Sequence, residues 1–119
     1  MDWDLSTAVE TDGGTFFVMY STNPETVARS ESFSATFMVH DAQNREEMLM
    51  DAVVTSVDAA MPSHNHGMNV VPEVTDNGNG TFTASPLEFM MSGHWEIYAE
   101  VSQGDVSEKA TFHVICCGD

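Results

Sequence analysis

The stretch "HWEIYAEVS", His94 to Ser102, alternates without a break: Trp95, Ile97, Ala99 and Val101 are apolar, while Glu96, Tyr98 and Glu100 between them are polar. Side chains on a strand point to opposite faces at every step, so this is the pattern of a β-strand with one face on a core and one in water. A helix would need its apolar residues three and four apart, and they are not. "SFSATFMVH" repeats the pattern, with Phe33, Ala35, Phe37 and Val39 on one face. "EKATFHVIC" does so again through Ala110, Phe112, Val114 and Cys116.

The remaining chain fits the same class. "TFFVMYS", from Thr15, is rich in aromatic and β-branched residues. "LMDAVVTSVDA" places Leu49, Val53 and Val57 on one parity, interrupted by Asp51 and Thr55. "MNVVPEV" is short and holds Pro72, which suits an edge strand because proline cannot donate to a ladder. "GTFTASPLEF" follows the turn residues "TDNGNG". Only "NREEML" offers a helical turn. About seven short strands separated by turn signals predict an all-β, immunoglobulin-like antiparallel sandwich. Residues 1–13 read as a flexible leader and residues 14–119 as one domain.

A chain of 119 residues buries a sufficient core for one domain. No stretch approaches the eighteen or so apolar residues of a membrane helix. "MDWDLSTAVE" lacks the basic start and apolar centre of a signal peptide. The formal charge is −16, from 19 acidic residues against Arg29, Arg45 and Lys109. Such a surface repels nucleic acid and anionic membranes and draws cations and basic partners. No nucleophile elbow, phosphate loop or hydrolase-type His–Cys spacing is present, so the sequence argues against an enzyme.

Strand reversal collects the remaining chemistry at one end. "MPSHNHGM" follows one ascending strand, "LEFMMSGH" ends another, and the last strand rises to Cys116 and Cys117. Met61, His64, His66, Met68, Met90, Met91 and His94 are then the candidate metal ligands. His64, His66 and Met68 share a parity and can converge in an extended segment. Imidazole binds both oxidation states of copper, thioether sulfur favours Cu(I), and zinc sites rarely use methionine, so copper ranks above zinc. "DNGNGT" lacks the spaced carboxylates of a calcium loop and reads as a hairpin turn. His40 falls at the opposite end. His113, mid-strand with its neighbours facing the other way, reads as a satisfied surface residue. The adjacent cysteines cannot staple distant segments; free thiols, a vicinal disulfide, a link to another chain and soft-metal ligation all stay open.

The run from Met61 to Ile97 resembles the YtkA-like family, related to FixH-type proteins. The matching positions are Met61, Pro62, His66, Gly67, Met68, Pro72, Gly78, Gly80, Phe82, Phe89, Met91, Gly93, Trp95 and Ile97. The motifs are specific over residues 59–101, and the pattern extends over about 33–116. The resemblance implies an extracytoplasmic sandwich, periplasmic or extracellular, often lipid-anchored or membrane-tethered, linked to copper handling and oxidase assembly. His64 and His94, beyond the family pattern, fit copper. The expected function is copper binding in a capture, transfer or resistance role, with a copper-donating or copper-accepting protein as partner. The rivals are a metal-free structural or adhesive module and a thiol-redox accessory using Cys116 and Cys117.

Overall fold

The computed structural model describes residues 3–117; Met1 and Asp2 of the expected leader, and Gly118 and Asp119 of the expected domain, lie outside them. The chain is a sandwich of two antiparallel sheets. Its strands are β1 (Ala8–Glu10), β2 (Phe16–Asn23), β3 (Phe33–Asp41), β4 (Asn44–Met48), β5 (Val53–Met61), β6 (His66–Gly67), β7 (Glu73–Asp76), β8 (Thr81–Leu87), β9 (Gly93–Gln103) and β10 (Val106–Cys116). The first sheet runs β1-β2-β3-β8-β7 with β4 on the end of β3, and the second runs β10-β9-β5-β6.

The alternating stretches become the strands that carry the core. Phe33, Ala35, Phe37 and Val39 of β3 face Trp95, Ile97, Ala99 and Val101 of β9, all at 4% exposure or less. Phe89 stacks on Trp95 with ring centroids 4.5 Å apart and meets Phe33 edge-on at 5.0 Å. Such offset and edge contacts are the preferred aromatic geometries and add to the burial itself. Gly93, which opens β9, has φ +143°, and a Cβ there would lie 2.7 Å from the Met61 methyl.

There are ten strands among the described residues where about seven were expected. The three additions, β1, β4 and β6, are two to five residues long and too short to show a period. "NREEM" is β4, not a helical turn. Its helix-favouring residues are held extended by pairing with β3, and the His40 Nδ1 contact to the Arg45 carbonyl at 2.6 Å fastens the hairpin. In β5 the expected inward series of Leu49, Val53 and Val57 is corrected. Val54, Val57, Ala59 and Met61 are buried and Val53 is 41% exposed. The cause is a register shift between Val54 and Ser56 in the ladder to β9: an extra residue reverses the parity upstream of it.

The expected leader joins the sandwich from Ala8 onward. β1 pairs with β2, and Thr11, at 4% exposure, begins a turn closed on a single carboxylate. Glu108 of β10 accepts from Thr11 Oγ1, from the Thr15 amide at 3.0 Å and from Thr15 Oγ1 at 2.6 Å. The hydrogen bonds from Thr11 and then Thr15 hold the Glu108 carboxyl below its ordinary value of 4.5. A depressed folded-state pKa contributes stability above the unfolded value, and that contribution is lost as pH falls through the folded one. Glu108→Gln should therefore lower stability at pH 7 by on the order of 1 kcal/mol, the general worth of a hydrogen bond. The gap from wild type should close on acidification below about 4.5, as urea midpoints across pH would record.

Candidate metal centre

Because β5 and β10 flank β9 and each runs antiparallel to it, the end of β5, the start of β9 and the end of β10 lie at one end of the second sheet. The two His/Met loops therefore share that end. After β5, Pro62 starts a 3-10 turn over Pro62–His64, and Asn65 in the left-handed region (φ 49°) reverses the chain into β6. His64 is exposed, while His66 and Met68 are half-buried and Met68 packs against the core.

The three expected histidines, His64, His66 and His94, do not fall into one ligand-sized group among the described residues. Met61 is fully buried in the core. His66 pairs directly with Met61, and facing residues of an antiparallel pair share a side of the sheet. His66 thus leans toward the inner side with Met61, whereas His94 precedes inward Trp95 and lies on the outer side. Met90 is half-buried and Met91 is 40% exposed, its carbonyl accepting from Trp95 Nε1 at 2.9 Å. His40 sits on β3, which meets β8 antiparallel with Phe33 at the loop end, so it lies at the far end as expected.

His94 instead finds partners that the alternation had set aside. On the outer face, His94 Nε2 lies 2.9 Å from His113 Nδ1, and Glu96 Oε2 lies 3.4 Å from that same nitrogen. Among the described residues this trio is the one set of three or more His, Cys, Asp or Glu side chains whose ligand atoms fall within 4.8 Å of one another. The ladder explains it. His113 stands directly opposite Glu96, and His94 is two residues before Glu96 on the same face. His113, read from the sequence as a satisfied surface residue, does find partners on the sheet surface, in His94 and Glu96, and with them forms the candidate cluster. His113 and Glu96 are 24% and 19% exposed, so the cluster is half-buried in the sheet surface.

Neighbours fix the carboxylate. Tyr98 donates to Glu96 Oε1 at 2.6 Å, and Lys109 lies over the Tyr98 ring at 4.9 Å. Burial, then the hydrogen bond to Glu96 and the charges of Glu96 and Asp58, push the Tyr98 hydroxyl up to about 12. Tyr98 therefore stays protonated and keeps one Glu96 oxygen occupied, leaving Oε2 toward the imidazoles. Above the rings, Trp3 stacks on His94 with centroids 3.8 Å apart and planes 7° from parallel, and on His113 at 4.8 Å.

Two nitrogens and one carboxylate oxygen suit a borderline divalent ion, which binds imidazole at about 2.0–2.1 Å and so spaces its ligand atoms by roughly 3.3 Å in a tetrahedral site. The His94–His113 gap needs to open by only a few tenths of an ångström. At the end of β10, Cys116 and Cys117 form a vicinal disulfide, and among the described residues no free cysteine remains. Among the described residues no helix is long and apolar enough to cross a membrane.

No curated protein and no solved structure matches this chain. The YtkA-like family model does match, over residues 10–100, which takes in both His/Met loops, His94 and Glu96 but leaves Trp3 and His113 outside. On that match, covering most of the chain, together with the sandwich fold, the protein belongs to the YtkA-like family.

Proposed function

We infer that the protein is an extracytoplasmic copper-binding protein that captures the ion and hands it to a partner, without turning over a substrate. The observation that carries this reading is the contact of His94 with His113 beside Glu96, a donor set formed by adjacent strands before any ion arrives. Imidazole and carboxylate alone would serve zinc. Copper is favoured because Cu(II) outcompetes zinc for such donors and because thioethers adjoin the site. Met90 and Met91 stand in the loop leading into His94, and Met68 follows β6 at the same end. Sulfur is a soft donor that suits Cu(I) and needs no deprotonation. The half-exposed position allows a partner to exchange ligands, and the net charge of −16 draws cations toward the surface.

Competition titrations with chelators specific for each oxidation state test the reading. One Cu(II) should bind per chain. Replacing Met68 and Met91 by Leu, which conserves volume, should weaken Cu(I) by about tenfold and leave Cu(II) nearly unchanged. Absence of stoichiometric binding of either ion would make the sandwich a scaffold.

A further inference from the structure

We propose that Trp3 is a lid on the His94–Glu96–His113 site: its indole closes over the imidazole pair, holds the two rings in register and sets how quickly a bound ion leaves. This rests on the metal reading for its purpose but not for its geometry.

The placement of Trp3 is not accounted for by the sandwich itself. β1 belongs to the first sheet, yet Trp3 lies on the outer face of the second, so residues 3–7 wrap past the β10 edge. That stretch has no strand pairing over residues 3–6. Asp4 Oδ1 accepts from the Ser6 amide at 2.9 Å to turn the chain, and the Thr7 carbonyl accepts from the Tyr20 amide at 3.0 Å to anchor it. Beyond that anchor, the described ring contacts of Trp3 are the two imidazoles alone. An indole on this polar stretch has no core to join, yet it is only 38% exposed, because it lies flat on His94.

The chemistry suits a lid and not a ligand. Indole has no lone pair to give a metal, but its flat face covers the ring faces and crowds a bulky reagent, while a bare ion can still reach the in-plane nitrogen lone pairs. Covering the rings excludes water from one side of the site. It also fixes ring rotation, which is what outer contacts do for metal-binding histidines generally. A cation held by His94 and His113 would sit close to the electron-rich indole face, a further attraction that a small side chain cannot supply. The short, weakly tied stretch lets the lid swing away without disturbing either sheet.

Two measurements on the whole chain separate the lid from the metal reading. The first uses no metal. Diethyl pyrocarbonate acylates accessible imidazole nitrogens, and exposed His64 provides an internal reference. In Trp3→Ala, modification of His94 and His113 relative to His64 should rise by roughly tenfold, the order set by a stacking contact, and Trp3→Phe should stay within about twofold of wild type. Equal rates in wild type and Trp3→Ala would overturn the lid, whatever the protein binds. The second loads Cu(II) or Zn(II) alone and follows release to a chelator by stopped flow. Release should be about tenfold faster in Trp3→Ala, with association little changed, and Trp3→Phe should again resemble wild type. Cu(II) should also quench the larger share of tryptophan emission in wild type and much less in Trp3→Phe, where Trp95 alone reports. Protection of the rings without any metal binding would uphold the cover over the imidazoles but overturn both its role in ion release and the copper reading. Metal binding with release unchanged in Trp3→Ala would leave the copper reading standing and remove the lid.

Discussion

Replacing His94 and His113 together by Asn should weaken Cu(II) by on the order of 100-fold or more, equivalent to about 2.7 kcal/mol of binding free energy. Two of the three converging donors are removed, and the remaining Glu96 carboxylate already accepts from Tyr98. Replacing His64 and His66 by Asn should change Cu(II) affinity by no more than about threefold, under 1 kcal/mol. His64 is exposed on the 3-10 turn, and His66 faces the other side of the sheet from His94. The contrast is informative because both double variants carry the same chemical change and sit at the same end of the sandwich. His94 and His113 lie on the outer face, so the core should survive their replacement, and near-identical urea midpoints would show that it does. The reverse result, with the His64/His66 variant losing copper and the His94/His113 variant keeping it, would return the site to the "SHNHGM" loop and leave the sheet-face cluster without a role.

The difference between those two outcomes also marks what the sequence could convey. Alternation in β3 and β9 is legible because each strand has one wholly buried face, so the fold class follows from period alone. In β5 the same reasoning fails at a definite place, since parity cannot survive the extra residue between Val54 and Ser56. β4 was illegible for a different reason: "NREEM" has the composition of an exposed helix, and only its pairing with β3 decides the matter.

For the site, direction of strands correctly brought the two loops to one end, but direction is coarser than register. The register was within reach. Gln103 and Val106 flank a two-residue turn, Gly104–Asp105, and Glu96 and His113 stand seven residues back and seven forward from them. Counting across that hairpin brings His113 opposite Glu96 and diagonal to His94. Treating His113 by its own strand alone hid the pairing. Trp3 had no such signal. Its contact with His94 spans most of the chain and depends on a short stretch rounding the β10 edge, which no local pattern encodes.

Trp95→Ala should cost about 3–5 kcal/mol of unfolding free energy, the range for emptying an aromatic core position. Trp95 is fully buried, stacks on Phe89 at 4.5 Å, and donates through Nε1 to the Met91 carbonyl at 2.9 Å. The substitution removes three things at once: the transfer energy of the indole, the packing of Phe89 against it, and the Nε1 donor to the Met91 carbonyl in the loop before β9. Cavity formation dominates, because Phe89, which would have to fill the gap, is braced edge-on by Phe33 of β3. Against a typical domain stability of about 5–15 kcal/mol, a loss of that size brings a sandwich of this length close to its unfolding threshold at 37 °C. Trp95→Phe separates the contributions. It keeps much of the apolar volume but not the donor, so it should fall between wild type and Ala, and it should loosen the Met90–Met91 loop more than the core. Copper makes that loosening measurable: Cu(I), which relies on the loop thioethers, should weaken in Trp95→Phe by several-fold, about 1 kcal/mol, while Cu(II) on the sheet face holds. A loss below about 1 kcal/mol for Trp95→Ala in urea unfolding is far outside the range for a buried aromatic and would mean that the residue does not pack between the sheets.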